Sequence, residues 1–429
     1  MNDLNFKFDS KKPIYLQIYN SFISQMRNGY IKKGDNLPSV RNLAKQLNVS
    51  KSTIENAYDK LMSEGYIISK AKSGYYCDIS EIKKTKNEMI STPNTLNTNY
   101  RYDFSSRLMD YEQFDQKVWI RYTKIVLENG TLMAGYGHPQ GEYELREQLV
   151  NYLFETRNVH TATNNLLIGA GISPLLYFIC SLFKKQTLKV GFISPGFSQA
   201  MSIFEDCRHQ VILLDSLEDI DHTKLDILYL TPSTLNLTIK QRINLLKQLK
   251  SMNVYLIEDD LNGDMIYQST PLSSMQGLYD ENSVFYISSF SKLLLPSVRL
   301  ACLAIPNNFQ ISLDSYNQTA SRIEQQVLAM YLQDGHMIRR IKRLRRLYHK
   351  KSKLMESILS SNFENYYLKE SQLCFEIIDD FKHLNKDNHL NFQKINDTTI
   401  RLYFSGIAEN QIEEGLYYLI KKWKSTNQD

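Results

Sequence analysis

The sequence predicts an α/β protein of two parts: a small helical segment at the front, then a large segment built on a mostly parallel sheet. Three observations indicate this. The chain has 429 residues, more than one hydrophobic core usually supports. The first 80 residues show helical periodicity and hold twelve Lys and Arg against seven Asp and Glu, which accounts for the net charge of +5 of the whole chain. The remainder alternates short apolar runs with helical patterns.

The composition is that of an ordinary globular protein, with 42% hydrophobic and 23% charged residues. No apolar run approaches the ~20 residues that a membrane helix needs, and the first residues lack the apolar core of a secretion signal. We therefore expect a cytoplasmic protein without membrane contact. The five cysteines are widely spread and not in paired spacing, so neither disulfides nor a zinc site is expected.

The front segment reads as three helices followed by a hairpin. Proline at position 13 suits the first turn of a helix that reaches Met26. A short helix follows Ser39, and a third runs from about Lys51 to Glu64. Apolar periodicity buries one face of the third helix and leaves outward Lys51, Ser52, Thr53, Asn56 and Lys60.

Such a helix start suits the recognition helix of a helix-turn-helix, whose first side chains reach base edges in the major groove. Two strands between residues 65 and 79 would form a wing that brings Lys70 and Lys72 to phosphates. The alternative is a small three-helix unit with a solvated polar face. Residues 81–100 are polar, without apolar periodicity, and are predicted to be a linker between domains at 11–80 and 101–429.

The order of residues in the front segment resembles the winged helix-turn-helix of GntR-family transcription regulators. The resemblance rests on Gly34, Leu37-Pro38-Ser39, Arg41, Leu43-Ala44, Val49-Ser50, Thr53, Ala57-Tyr58, Leu61, Glu64-Gly65-Tyr66 and Ser73-Gly74. It implies that Arg41 and the helix from Lys51 contact double-stranded operator DNA. Lys51 stands where an arginine is usual, and lysine lacks the bidentate fork that reads guanine.

In the large segment, ligands are expected on the loops after the strands of a parallel sheet. One strand at 284–287 leads into a hydroxyl cluster, then Lys292, an apolar run and Arg299. A partly desolvated lysine suits a Schiff base, and hydroxyls with an arginine suit a phosphate. An ordinary loop lysine is an equal alternative at this point.

Four other loops carry candidate groups. Glycines at 169 and 171 precede a helix, and the free backbone amides at its start could bind phosphate. The alternative is that these glycines only form a helix-capping loop. Phe197 could stack on a planar ligand or pack on the core, and Asn236 is the strong polar group of its loop. Glu258-Asp259-Asp260 could bind a metal, pair with a protonated ring nitrogen, or form an exposed acidic strand end.

Taken together, these loops resemble fold-type I aminotransferases, and most of all the aminotransferase-like domain of the MocR subfamily of GntR regulators. The motifs, in order, are Tyr136 to Gly141 with Leu145-Arg146, Gly171, Pro195-Gly196-Phe197, Thr231-Pro232-Ser233, Glu258-Asp259-Asp260, Ser289 to Lys292 with Leu295-Pro296 and Arg299, and Ile400-Arg401-Leu402. The fold implied is an aminotransferase-like domain with a small C-terminal α/β subdomain.

The resemblance also implies a cofactor, pyridoxal 5'-phosphate, and a role for each residue. Lys292 would bind it covalently, Asp259 would pair with its ring nitrogen, and Arg401 would bind an effector's carboxylate. Phe197 would stack on the ring, Asn236 would lie near its 3'-oxygen, and Tyr136 would reach the phosphate of a homodimer partner. The phosphate would be held by Gly171, Ile172, Ser173, Ser289, Ser291 and Arg299.

Departures from the family pattern favour sensing over turnover. Leu261 stands where a tyrosine is usual, Leu237 and Ile239 replace a proline and a glycine, and Ser173 stands where glutamine is common. The leading hypothesis is a regulator that senses the cofactor or an amine or amino acid effector. The alternatives are a catalytically active aminotransferase carrying a DNA-binding domain, and a degenerate domain that senses another ligand.

The most basic run of the chain, residues 335–348, has apolar residues at helical spacing. We interpret it as a helix with a solvated or subunit-facing basic face, in preference to a DNA contact.

Overall fold

The computed structural model describes residues 8–9, 12–71, 73–79, 100–106, 108–183, 187–278, 283–313 and 316–426. They fall into two compact units, divided between Leu96 and Asn97. The linker expected at 81–100 lies almost entirely outside the described residues. Within the described ranges, no helix is both long and apolar enough to cross a lipid bilayer.

The front unit has the winged helix-turn-helix architecture. Its elements are α1 (Ile14–Arg27), β1 (Asn36–Leu37), α2 (Val40–Leu47), α3 (Lys51–Ser63), β2 (Ile67–Lys70) and β3 (Gly74–Cys77). The side chain of Ser39 caps α2 and that of Ser50 caps α3, each by accepting from a backbone N–H three residues on. The apolar face of α3 is buried, and the three strands pair antiparallel in the order β1-β3-β2.

The large unit is built on a seven-stranded sheet. Its strands are β5 (Leu166–Gly169), β6 (Lys189–Ile193), β7 (Gln210–Leu214), β8 (Ile227–Leu230), β9 (Tyr255–Asp259), β10 (Val284–Ser289) and β11 (Ala301–Ala304), in the order β5-β11-β10-β9-β8-β6-β7. Five of them, β10-β9-β8-β6-β7, run parallel. The continuous burial of β5 and β8 explains their apolar sequences, since helices cover both faces of such a sheet.

One strand of the sheet runs opposite to its neighbours. The strand β11 lies between β10 and β5 and is antiparallel to both. Ala301 faces Gly169 on one side and Ser289 on the other. The ends of β5 and β10 are therefore two strand spacings apart, about 10 Å, which brings the loops that follow them together.

Helices surround this sheet and extend to a smaller C-terminal sheet. They are α4 (Gln116–Leu127), α5 (Gly130–Ala134), α6 (Tyr143–Arg157), α7 (Ile172–Leu182), α8 (Ser198–Asp206), α9 (Ile239–Ser251), α10 (Arg322–Gln333), α11 (His336–Leu359) and α12 (Glu409–Thr426). The C-terminal sheet is antiparallel, in the order β12 (Asn365–Lys369), β13 (Cys374–Ile378), β16 (Thr399–Tyr403) and β15 (Gln393–Asn396). Two short strands, β4 (Tyr102–Asp103) and β14 (Leu390–Asn391), pair in parallel. The predicted fold class is confirmed.

Candidate functional site

The front unit presents the start of α3 to solvent. Lys51, Ser52 and Asn56 are exposed there, and Arg41 is exposed on α2. Thr53 is half-buried, and its hydroxyl lies 2.7 Å from that of Ser50, the residue that caps the helix. The cap therefore limits how freely Thr53 can turn toward a base.

On the wing, the ammonium of Lys70 lies 4.7 Å from the centre of the Tyr76 ring. This cation–π contact leaves the charge at the surface, where it can meet phosphate. Lys72, the other wing lysine singled out above, lies outside the described residues.

Lys292 lies in the loop after β10, at the carboxyl end of the parallel strands. Burial lowers its pKa, although Cys374 and Asp259 act in the opposite direction. A lower pKa raises the fraction of neutral amine, the form that attacks an aldehyde. The environment that a Schiff-base lysine needs is thus present.

The loop that carries Lys292 is held by Arg340, a residue of the basic run. Its guanidinium donates to the carbonyl oxygens of Leu293 at 2.6 Å and Leu294 at 2.9 Å, and also to that of Gln113. Arg340 is almost fully buried, so this residue is not part of the solvated or subunit-facing basic face that was expected. The helix turns it inward because it lies on the same face as the apolar positions of α11.

Asp259 ends β9, next to the strand that leads to Lys292. One carboxylate oxygen, Oδ2, accepts a hydrogen bond of 2.6 Å from Tyr229. The other, Oδ1, is buried and has no hydrogen-bond partner among the described residues. Burial raises the pKa of Asp259 to about 6, while the bond from Tyr229 opposes this shift. An oxygen in this state needs a cationic or N–H partner.

The two neighbouring acids are occupied by other groups of the protein. Glu258 accepts from the backbone N–H groups of Met275 and Gln276 at 2.8 and 2.9 Å. Asp260 pairs with Arg157, with distances of 2.6 and 3.0 Å. The three acids therefore do not act as one cluster, and only Asp259 keeps an oxygen without a partner.

The predicted phosphate-binding groups meet at the ends of β5 and β10. Gly171 has φ +90° and precedes α7, and a Cβ at this position would lie 2.8 Å from the guanidinium of Arg299. Glycine thus lets the helix start and Arg299 approach each other. The helix, which begins at Ile172, has no side-chain cap, and Ser173 accepts from Gln199 at 2.8 Å. Ser289 ends β10 and Ser291 lies in the loop after it, with their hydroxyls 3.4 Å apart.

A cavity of about 430 Å³ opens beside Asp259. Its wall includes Ile172, Phe197, Tyr229, Leu261 and Arg401. The Phe197 ring is partly exposed, which leaves it available to cover a planar ligand. Leu261 places an apolar side chain on the wall where the family pattern has a tyrosine.

Arg401 reaches this cavity from β16 but is not a free cation. Its Nε and Nη2 atoms both lie 2.8 Å from Oε2 of Glu376, the residue directly opposite on β13. The second oxygen of Glu376 is 3.7 Å from Lys369, which also lines the cavity. Two cations share one carboxylate here, so this group of three side chains has a net charge of +1.

The lining of this cavity does not include Lys292 or the predicted phosphate-binding residues other than Ile172, and it does not include Asn236 or Tyr136. Asn236, at φ 52°, lines a separate cavity of about 300 Å³ together with Arg242. Tyr136 is fully exposed. Three residues that contact predicted site residues or the Lys292 loop were not identified from the sequence. Tyr229 contacts Asp259, Arg340 contacts the loop of Lys292, and Glu376 contacts Arg401. An arginine on the apolar face of a helix is the signal that could have revealed Arg340.

Comparison with known proteins agrees with this architecture. Residues 14–77 match the family model described as bacterial regulatory proteins of the gntR family, and residues 103–395 match that of aminotransferase class I and II. A multiple substrate aminotransferase from Thermococcus profundus has a TM-score of 0.67 at 18% identity, over 77% of this chain and 93% of that one. At this identity the likeness shows the fold alone.

Two curated relatives match this chain over most of its length. The uncharacterized HTH-type transcriptional regulator YdeL of Bacillus subtilis (strain 168) is 32% identical, over 96% of this chain and 97% of its own. The probable rhizopine catabolism regulatory protein MocR of Rhizobium meliloti is 22% identical, over 82% of this chain and 78% of its own. The chain belongs to the MocR subfamily of GntR-type transcription regulators, in which a helix-turn-helix domain is fused to an aminotransferase class I and II domain.

Proposed function

We propose that this regulator binds double-stranded operator DNA through its front unit and pyridoxal 5'-phosphate through Lys292. In this proposal it acts in the cytoplasm as a homodimer and senses the cofactor or an amine or amino acid effector. The observation that carries the cofactor assignment is Oδ1 of Asp259. This buried carboxylate oxygen has no hydrogen-bond partner in the part of the chain that the structure describes, and burial lowers the pKa of the nearby Lys292. A protonated ring nitrogen is the donor that this oxygen lacks.

Bound pyridoxal phosphate supplies an aldehyde that reacts with primary amines and a ring that withdraws electrons. Asp259 would hold the ring nitrogen protonated, and Phe197 would cover one face of the ring. The amides at the start of α7, together with Arg299, would hold the phosphate, because a helix start with free N–H groups favours anions. Arg401 would orient a carboxylate of the effector.

The homodimer proposal draws support from exposed apolar side chains on two consecutive helices. Ile120 and Leu127 on α4 and Met133 on α5 are 59%, 50% and 43% exposed, and Tyr136 follows in the next loop. A cluster of this kind suits a subunit interface. Tyr136 would then reach the partner's phosphate site, and an effector that changes this interface would alter how the two front units engage an operator.

A cofactor titration tests the proposal. Purified protein should gain the visible absorbance of lysine-bound cofactor when pyridoxal phosphate is added, and Lys292→Ala should abolish it. Lys247→Ala, which removes an exposed lysine from α9, is the matched control and should behave like wild type. Absence of the band from the wild type, or its persistence in Lys292→Ala, would contradict the assignment.

DNA binding is tested separately. Arg41→Ala should weaken operator binding while the cofactor spectrum stays unchanged, because Arg41 and Lys292 belong to different units. Loss of both properties together would contradict separate roles. Bleaching of the cofactor band by one amino acid among a panel would identify the effector class.

Aminotransferase activity is the second candidate function. The lowered pKa of Lys292 and the position of Arg401 on the cavity wall favour it. Leu261 counts against it, because no hydroxyl stands there to tune the proton on the lysine nitrogen. Steady transamination faster than about 1 per second, the low end of ordinary turnover, would establish an enzyme.

A further inference from the structure

Tyr229 is a buried tyrosine at the centre of the candidate site. It lies in β8, with its ring stacked on that of Phe192 at 5.0 Å. Across the parallel pair its Cα partner is Ile257, so Asp259 is the diagonal neighbour on the same face of the sheet. The hydroxyl of Tyr229 donates to Oδ2 of Asp259 at 2.6 Å.

This hydrogen bond determines which carboxylate oxygen remains available. The two oxygens of a carboxylate share one plane, so a short bond to Oδ2 fixes the direction of Oδ1. Oδ1 is the oxygen that is buried without a partner among the described residues. The single proton of the tyrosine hydroxyl is committed to Asp259 and therefore cannot be donated to another group.

We propose that Tyr229 is a positioning residue for pyridoxal phosphate: its hydroxyl aims Oδ1 of Asp259 at the ring nitrogen and favours the ionised carboxylate. This inference rests on the function proposed above. It assigns a role to a tyrosine inside an apolar strand, where only packing would otherwise be expected.

The charges around Asp259 support this role. Burial raises its pKa to about 6, and a further rise comes from Asp260, while Tyr229 and Lys292 lower it. The pKa of this carboxylate is thus close to neutral pH, so losing the hydrogen bond from Tyr229 would increase the protonated fraction of Asp259. Burial and the charge of Asp259 raise the pKa of Tyr229 well above its usual range. The hydroxyl therefore keeps its proton and remains a donor at any physiological pH.

Tyr286 supplies a matched control. It is also fully buried, and it donates to Oδ2 of Asp260, also at 2.6 Å. The variants Tyr229→Phe and Tyr286→Phe each remove one hydroxyl from a buried Tyr–Asp pair and leave the ring in place. Both lose a comparable hydrogen bond, so a merely structural effect should appear in both.

The experiment measures the dissociation constant of pyridoxal phosphate between pH 6 and pH 8 in the full chain. Tyr229→Phe should weaken binding roughly 10- to 100-fold, the usual effect of losing a hydrogen bond to a charged group. Its affinity should also begin to fall at a higher pH than in the wild type as the solution is acidified. Tyr286→Phe should bind within about threefold of the wild type, that is, with a change below about 0.7 kcal/mol.

Equal binding by Tyr229→Phe and wild type would overturn the inference, as would equal losses in both variants. A wild type that binds no pyridoxal phosphate would overturn the proposed function, and this inference with it. Thermal unfolding of each variant shows whether the fold is retained. If Tyr229→Phe does not fold, Asp259→Glu is the second variant, because its longer side chain moves the carboxylate relative to the hydroxyl of Tyr229. It should weaken the binding of pyridoxal phosphate, and unchanged binding would contradict the role of Tyr229.

Discussion

Replacing Asp259 with asparagine should stabilise the cofactor-free protein and weaken cofactor binding. Burial raises the pKa of this carboxyl from the ordinary 3.8 to about 6. Between these two pH values the folded protein binds more protons than the unfolded chain, so stability falls as pH rises. The difference corresponds to about 3 kcal/mol once the pH is above the folded pKa. Asparagine carries no charge and avoids this penalty.

The stability advantage of Asp259→Asn should therefore grow with pH. Between pH 5 and pH 8 the gap in free energy of unfolding should widen by about 1 to 2 kcal/mol. Urea unfolding followed by tryptophan fluorescence measures this selectively, because both tryptophans of the chain, Trp119 and Trp423, lie in the large unit. At pH 8 the same variant should bind pyridoxal phosphate at least about 10-fold less tightly, since a charge-assisted hydrogen bond is lost.

Asp387→Asn is the control carboxylate. Burial alone would raise the pKa of Asp387, but donors from Lys422, His389 and Leu390 outweigh it and lower the pKa well below its usual range. The stabilisation that the ionised Asp387 gives to the fold is lost only below about pH 4. The loss of unfolding free energy in Asp387→Asn should therefore be equal at pH 5 and pH 8. A gap for Asp259→Asn that is flat, or that narrows as pH rises, would refute the reasoning about Asp259.

Two further predictions concern the supports of the site. Arg340→Met should lower the free energy of unfolding of the large unit by about 3 to 5 kcal/mol, because buried carbonyl oxygens lose a charged donor. Urea unfolding measures this change, and a loss below about 1 kcal/mol would contradict the prediction. Glu376→Gln should raise affinity for an amino acid effector roughly 10-fold or more, because a negative charge no longer competes for Arg401. Spectral titration with that amino acid and its decarboxylated amine checks the second prediction, and equal changes for both ligands would contradict it.

Much of the fold could be predicted because local periodicity matched the tertiary structure. The helix from Lys51 buries the face that the sequence predicted, and the strand predicted at 284–287 lies within Val284–Ser289. The strand Ala301–Ala304 was missed, since a short apolar run after a proline turn does not reveal its direction or its neighbours. Strand order is set by packing of the whole sheet and is not encoded in any one segment.

The candidate site was predictable where one loop carries its own chemistry. Lys292 follows a buried strand and Asp259 ends one, and the order of the loops predicts the roles proposed for them. Tyr229 was not predictable, because a tyrosine inside an apolar strand has the same pattern whether it packs or donates a hydrogen bond. Its role depends on the register between β8 and β9, which pairs it with Ile257. Glu376 was missed for the same reason, since it meets Arg401 only through strand pairing.

The residues expected near the cofactor's 3'-oxygen favour a sensor over an efficient catalyst. No side chain suited to donate a hydrogen bond there is found at three candidate positions. Leu261 is apolar, Asn236 lines another cavity, and the hydroxyl proton of Tyr229 is already donated to Asp259. The groups proposed for the phosphate and the ring nitrogen are in contrast all present. Binding energy depends on those two ends of the cofactor, whereas turnover needs a tuned proton at the reacting nitrogen. A site that keeps the first and lacks the second is suited to holding a ligand and reporting its presence.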